Sequence, residues 1–253
     1  MNIRDVRIGK FGLINNFLPY FRLEQKGVPI IEASPKELAQ MFEKGKIDFA
    51  PVPSFFYIKN KERLKSHDFC VASRKKVLSV IVVSSGKMPC DDNGCIAVTD
   101  QTTTSLNLLR IILRERGMKN RVVPVSESRA GELLKHCDQA LVIGDEAIRA
   151  RMTYRVVMDL GEQWHKLTGC PMVFGISVSL RERNMTEIDK VVMESVRWGR
   201  KNIDTVVAEA EKKFNIERNF LELYFKSLAH CMGGSEKRGL ELFEEKCREH
   251  GLL

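Results

Sequence analysis

Seven consecutive residues, Val77-Leu78-Ser79-Val80-Ile81-Val82-Val83, carry no charge and a single hydroxyl. A strand of that composition has no polar face, so both of its faces must be covered, and the usual cover is a layer of helices on each side of a sheet. The flanking sequence supplies the rest of such a fold. Val6–Ile14 is strand-like. Ser34-Pro35-Lys36-Glu37 is a capping box with Pro at the first helical position, and it opens a helix that runs to about Lys44 and stops at Gly45. Ile47–Val52, Cys95–Thr99, Arg121–Val125 and Ala140–Ile143 read as further strands, with an apolar-periodic helix through Leu106, Leu109 and Leu113 among them. This alternation predicts an α/β protein with mainly parallel sheets.

From Thr186 onward the period changes. Thr186-Glu187-Ile188-Asp189 fits a loose capping pattern, and Ile188, Val191, Val192, Ser195 and Val196 share one helical face. Ile203 to Ala210 and Phe220 to Leu228 mark two more helices, and Gly233-Gly234-Ser235 breaks the chain before a last one carrying Leu240, Phe243 and Cys247. Their apolar stripes need a sheet to cover, which makes this tail a C-terminal helical packing layer.

The chain has 253 residues with 43% hydrophobic composition, enough for one large core or two modest ones. No run of eighteen apolar residues exists, so no membrane insertion is expected. Met1 to Arg7 has neither an apolar core nor a cleavage site of the secretory kind, which points to a cytoplasmic protein. The net charge of +8 is spread along the chain, with Arg74-Lys75-Lys76 the one dense cluster. That distribution suits gathering small anions rather than binding nucleic acid. The seven cysteines match no zinc spacing, and no His-x-x-x-His or carboxylate cluster suggests a metal. Cys90 and Cys95 flank a turn and have the spacing for a local disulfide, but a cytoplasmic chain is expected to keep free thiols.

Four segments have the residue types of a binding site. The first runs from Arg7-Ile8-Gly9 to Asn15-Asn16, where a strand ends on two carboxamides that can donate and accept. They serve either a ligand or a turn. The second, Asp48-Phe49-Ala50-Pro51-Val52-Pro53-Ser54, stiffens a strand end, and Ser54 either contacts a ligand or caps the next turn. The third is Thr102-Thr103-Thr104-Ser105, hydroxyls at a helix start, where free N–H groups form an anion site unless one side chain simply caps. The fourth holds Val142-Ile143-Gly144-Asp145-Glu146-Ala147, with Asp145 either a cap or an orienting group. It also holds Asp159-Leu160-Gly161-Glu162-Gln163-Trp164, whose following His165 has no Cys or Ser partner pattern and reads as a surface histidine.

Taken in order, these elements resemble the motifs of the chorismate dehydratases of the futalosine route to menaquinone. The resemblance runs from about Arg7 to Val178, and its specific parts are Val-Ile-Gly-Asp-Glu-Ala and Asp-Leu-Gly-Glu-Gln-Trp followed by Thr168-Gly169, Pro171 and Val173-Phe174. It implies a two-lobed periplasmic-binding-protein-like (type II) fold with the ligand cleft between the lobes. Lobe one would take residues 1–84 and 178–253, and lobe two residues 85–177. It also implies a cofactor-independent hydro-lyase that turns chorismate into 3-[(1-carboxyvinyl)oxy]benzoate. By position, Asn15 and Ser79 match its catalytic residues, and Thr104 and Ser105 its helix-start anion site; Asn16, Ser54, Thr103 and Asp145 are the further substrate-binding candidates. The family has two residues between its Asn and Pro where this chain has three between Asn15 and Pro19, so Asn15 or Asn16 holds the site position; the spacing from Arg7-Ile8-Gly9 favours Asn15. A non-catalytic small-anion-binding protein, or the later enzyme of the route that acts on cyclised futalosine, are the other readings; the latter is expected to use a catalytic histidine.

Overall fold

The computed structural model describes residues 3–86, 94–100 and 102–253. The chain divides into two compact units, Met1–Ala72 with Val173–Lys237 and Ser73–Met172 with Arg238–Leu253.

The first unit opens with β1 (Ile8–Phe11), a 3-10 turn at Ile14–Asn16 and α1 (Phe17–Gln25). The strand is shorter than Val6–Ile14 because Gly12 and Leu13 turn the backbone into that 3-10 segment. β2 (Ile30–Ala33) pairs with β1 in parallel, Ile8 opposite Ile30. α2 (Pro35–Glu43) begins with the predicted capping box: Ser34 N–H donates to the Glu37 carboxylate at 2.8 Å and Glu37 N–H to Ser34 Oγ at 3.3 Å. β3 (Ala50–Pro53), α3 (Ser54–Asn60) and β4 (Leu64–Ser73) follow. Just before β3, Phe49 bridges Ile8 in parallel and accepts the Gly9 N–H at 2.8 Å. Asp48 is pinned there by Arg7, at 2.9 and 2.7 Å, and by Arg183. Hydrogen bonding from Arg7 holds its carboxyl below the usual range, against the opposing effect of burial.

The second unit is built on a five-stranded sheet. Its elements are β5 (Val80–Ser84), β6 (Cys95–Thr99), α4 (Thr104–Glu115), β7 (Arg121–Val125), α5 (Ala130–His136), β8 (Gln139–Ile143), α6 (Gly144–Thr153), β9 (Arg155–Asp159) and α7 (Leu160–Thr168). The strand order is β7-β6-β8-β5-β9. Every residue of β5 is buried, as its apolar run requires. Ile81, Val83, Ala97, Leu133, Ala140, Val142 and Ala147 close one core cluster on this sheet. Each large aliphatic side chain so buried stabilises by about 1.5–3 kcal/mol.

The five-stranded sheet is mixed rather than mainly parallel. β6 runs parallel to β7 and β8, but β5 enters between β8 and β9 from the opposite end and is antiparallel to both. Residues 77–79 also stay outside β5, because Leu78 adopts a left-handed conformation with φ of 64°. Cys95 and Cys137 are joined in a disulfide with their Cα atoms 5.4 Å apart, correcting the expectation of free thiols. β6 and β8 are neighbours, and Cys137 ends α5 just before β8, so topology brings together cysteines 42 residues apart. Cys90 lies outside the described residues.

The chain then returns through β10 (Met172–Leu180), α8 (Thr186–Lys201), α9 (Ile203–Phe214), α10 (Arg218–Ser227), β11 (Leu228–Cys231) and α11 (Gly234–Glu249). β10 and β11 complete a four-stranded sheet of order β11-β4-β10-β3, with Ile176 of β10 opposite Val52 of β3 in antiparallel register. Thr186 does not cap α8. Met185 holds the cap position, and the Asp189 carboxylate instead accepts the N–H groups of Asp68 and Phe69 at 2.9 and 3.3 Å, tying α8 to β4. The helix expected over Phe220–Leu228 ends at Ser227, where the chain is drawn into β11 beside β4.

The unit boundaries differ from 1–84 with 178–253 against 85–177 in three places: residues 73–84 and 238–253 fall in the five-stranded unit, and residues 173–177 fall in the other. Residues 73–79 belong with the five-stranded unit because Asp159 and Gly161 hold them there. α11 belongs there from Arg238 on. Phe243 meets Trp164 edge-on with ring centroids 6.0 Å apart, Gly239 abuts the Pro171 carbonyl, and Lys246 and His250 reach Glu115 at 2.8 and 3.0 Å.

Candidate active site

In the first unit the strand-end asparagines divide their work. Asn16 is fully buried. Its Oδ1 accepts the Phe11 N–H at 3.0 Å and its Nδ2 donates to Asn15 Oδ1 at 2.9 Å. The side chain thus supplies an acceptor that the backbone of Phe11 would otherwise lack as β1 turns into α1. Asn15 is only half-buried. Its amide nitrogen is the carboxamide end not occupied by that bond, so of the two residues Asn15 is the one equipped to meet a ligand. Behind it sits His230, buried on β11. Arg200 donates to the carbonyls of Phe225 and Leu228 at 2.6 Å each and stands 3.1 Å from His230 Nδ1. Because Arg200 can only donate, Nδ1 accepts, and the ring proton sits on the buried Nε2. Burial, helped by the Arg200 charge, pushes His230 down to about 3, so the ring is neutral. Ser54, also fully buried, opens α3 and donates to the Val173 carbonyl at 2.7 Å; it ties α3 to β10 rather than capping a turn.

In the second unit the two most specific motifs converge on one tripeptide, Val77-Leu78-Ser79. Asp159 caps α7 by accepting the Glu162 N–H at 3.0 Å, and the same carboxylate accepts the N–H groups of Val77 and Leu78 at 3.0 and 2.8 Å. Gly161 has to be glycine, since a Cβ there would stand 2.5 Å from Ser73 Oγ and 2.6 Å from the Lys75 carbonyl. Gly144, with φ of 60°, turns β8 into α6 and aims its N–H at the Ser79 carbonyl, 2.7 Å away. Arg151 of α6 donates to the Leu78 carbonyl at 2.9 Å. Leu78 therefore keeps a backbone conformation that costs a non-glycine residue about 1–2 kcal/mol, because its own and neighbouring backbone groups are held from three sides. Ser79 follows it, buried, with Oγ 3.5 Å from the Val77 carbonyl.

The start of α4 carries the third segment. Thr103 occupies the cap position with helical backbone angles, and its side chain makes no cap hydrogen bond. Thr102, Thr104 and Ser105 are buried around this end and Thr103 is exposed. Asp145 is half-buried in the first turn of α6 and does not cap it; Ile143 holds that position with no side-chain bond. Its neighbour Glu146 accepts the Ala130 N–H at 2.8 Å and so anchors the start of α5. His165 lies half-buried in the last turn of α7. Among the described residues no group of three or more His, Cys, Asp or Glu side chains is arranged to hold a metal ion. No described helix is long and apolar enough to cross a membrane.

Sequence reasoning picked out Ser79, Asn15 and the α4 start. It quoted Asp159 within a motif without assigning it a role, and it missed Arg151 and His230. The signal for Asp159 was its place three residues before Glu162 at a helix start; for the other two nothing local distinguishes them from surface arginine and core histidine.

The chain is 28% identical to the chorismate dehydratase of Thermus thermophilus over 247 residues, covering 89% of this chain and 88% of that one. Among solved structures it resembles a protein of Archaeoglobus fulgidus with a TM-score of 0.79 at 15% identity, covering 98% of both chains. It also resembles the periplasmic aliphatic sulphonate binding protein of Escherichia coli, with a TM-score of 0.69 at 17% identity over 98% of this chain and 88% of that one. These likenesses identify the fold as periplasmic-binding-protein-like. The profile of the menaquinone biosynthesis family matches residues 6–249, and the chain belongs to that family.

Proposed function

We propose that this protein is a chorismate dehydratase, removing water from chorismate to give 3-[(1-carboxyvinyl)oxy]benzoate. The observation that carries this reading is the likeness to a chorismate dehydratase along nearly the whole chain. Supporting it is the structural role of the two specific motifs, which are spent on holding the Ser79 segment.

The reaction removes the C3 proton and the C4 hydroxyl of the substrate ring, and aromatisation drives it. The substrate's own enolpyruvyl carboxylate takes the C3 proton, the C3–H electron pair forms the new ring double bond, and the C4 oxygen leaves with that proton as water. No protein base is needed, which fits candidate side chains that are carboxamides and hydroxyls. Asn15 and Ser79 hydrogen-bond the enolpyruvyl carboxylate and fix it over C3, a contribution of geometry and preorganised dipoles. The start of α4, with Thr103, Thr104 and Ser105, receives the ring carboxylate through backbone N–H groups and the positive end of the helix. Asp145 orients substrate hydroxyl groups from the start of α6. Asn16 and Ser54 serve the site from behind, by shaping the β1–α1 turn and the start of α3. The enzyme works without metal or organic cofactor, in the cytoplasm, on a small anion, with no nucleic-acid partner.

The test is to incubate the purified protein with chorismate, before and after exhaustive chelation, and follow the product by liquid chromatography and mass spectrometry. A product lighter by one water, formed at the same rate after chelation, is expected. Chorismate that binds but is recovered unchanged would refute the enzyme and leave a binding protein. Loss on chelation with recovery on adding one divalent ion would refute the metal-free mechanism.

A further inference from the structure

Leu78 is one of two described non-glycine residues with positive φ, and it directly precedes Ser79. The other, Asn215, is an ordinary left-handed helix end. Leu78 is different because its side chain is buried and its backbone is gripped on both sides: Asp159 accepts the N–H at 2.8 Å and Arg151 donates to the carbonyl at 2.9 Å. The adjoining Val77 N–H goes to the same Asp159 carboxylate and the adjoining Ser79 carbonyl to the Gly144 N–H. Strained backbone persists only where its surroundings over-determine it, and here the surroundings converge on the residue before a candidate catalytic hydroxyl.

We propose that Arg151 and Asp159 are positioning residues that hold Leu78 in its left-handed conformation and thereby aim the Ser79 hydroxyl. Neither touches substrate. Asp159 fixes where the segment starts, through two N–H groups, and Arg151 fixes the rotation of the Leu78–Ser79 peptide by holding its oxygen. Without Arg151 that peptide is free to turn toward an unstrained conformation, carrying Ser79 with it. Displacing a reacting group by about 1 Å costs up to about a hundredfold in rate. The inference rests on Ser79 acting in the dehydration proposed above.

The experiment is steady-state kinetics with chorismate on Ser79→Ala, Arg151→Ala, Arg151→Lys, Asp159→Asn and the double variant Ser79→Ala/Arg151→Ala, with circular dichroism to check folding. Arg151→Ala should lower kcat about ten- to a hundredfold with KM within about twofold, and Arg151→Lys should recover most of the loss. In the Ser79→Ala background, Arg151→Ala should cost less than about twofold more, since a residue acting only through Ser79 has nothing left to aim. A full, multiplicative loss in the double variant would overturn the positioning role while leaving Ser79 in place. A Ser79→Ala protein with normal turnover would overturn the role of Ser79 and the inference with it. Amide hydrogen exchange gives an arm independent of turnover. Arg151→Ala and Asp159→Asn should speed exchange at Leu78 about tenfold relative to Val82 in the core of β5; unchanged exchange would refute the clamp even if the chain has no activity on chorismate. If Asp159→Asn fails to fold, the Arg151 variants carry the test alone.

Discussion

Replacing Asn16 by Ala and Asn15 by Ala should have opposite consequences, although the two residues are adjacent. Asn16 is fully buried, and its Oδ1 is the acceptor for the Phe11 N–H at 3.0 Å, itself buried. Truncation leaves that N–H without a partner, at a cost of about 1–3 kcal/mol, and removes the 2.9 Å bond to Asn15, worth about 1 kcal/mol. The sum is about 2–4 kcal/mol. For a chain of this size each kcal/mol lowers Tm by about 2–4 °C, so Asn16→Ala should melt roughly 4–16 °C below wild type. Asn15→Ala takes the acceptor from Asn16 Nδ2, but that bond is only part-buried and water can replace it, so the variant should melt within about 4 °C of wild type. Its cost should fall on turnover, about a hundred- to a thousandfold in kcat for a lost preorganised donor. Thermal and urea melts by circular dichroism, with unchanged m-values, read the first quantity, and chorismate kinetics read the second. An Asn16→Ala protein as stable as wild type but inactive, beside an Asn15→Ala protein with normal turnover, would exchange the two roles and refute the argument from burial.

Gly161→Ala should destabilise the protein by about 1–3 kcal/mol, seen as a lower urea midpoint, because the new methyl meets Ser73 Oγ and the Lys75 carbonyl at once; no change would mean the Asp159 turn is looser than described. Stability should fall as pH drops below about 6.5. Burial lowers His67 to about 4 and His230 to about 3, so between 6.5 and those values the unfolded chain binds protons that the folded chain refuses. Each histidine contributes a slope of up to about 1.4 kcal/mol per pH unit in that window, and His230→Gln should remove its share; an unchanged slope would refute its neutral burial. Thr104→Ala should raise KM several-fold with little change in kcat, because backbone N–H groups at the start of α4 remain to bind an anion, whereas His165→Ala should alter neither parameter beyond about twofold. Loss of turnover in His165→Ala would install a histidine mechanism in place of the one proposed.

What could be read in advance and what could not separates by the range of the interactions responsible. β6 and β7 fall on Cys95–Thr99 and Arg121–Val125 as the pattern predicts, and the Ser34–Glu37 box caps α2, because apolar alternation and capping are decided within a few residues. Val77–Ser79 has the composition of a strand yet is not one, because its N–H groups go to a carboxylate 81 and 82 residues away. Leu228, expected as the end of a helix, instead begins β11, which pairs with β4. Asp189 stands where a capping box wants an acid and turns away to β4, 120 residues back. The cysteine partner of Cys95 is chosen by sheet order, not by spacing.

The candidate site divides along the same line. Asn15 and the hydroxyls at the start of α4 stand out as candidates because strand ends and helix starts are where backbone geometry leaves polar groups facing outward. That Asn16 turns inward, or that Arg151 holds a peptide oxygen 73 residues away, is decided by packing. Residue types alone cannot tell a side chain that meets the substrate from one that aims it. On the proposed reading, the second kind outnumbers the first in the Val77–Ser79 segment. One hydroxyl is presented there, and the carboxylate of Asp159, the guanidinium of Arg151 and the turn at Gly144 surround its backbone. A dehydration whose base is the substrate itself asks the protein for placement rather than for proton transfer. Substitutions that disturb the Leu78 backbone should therefore rival, in their effect on kcat, substitution of the hydroxyl that the backbone carries.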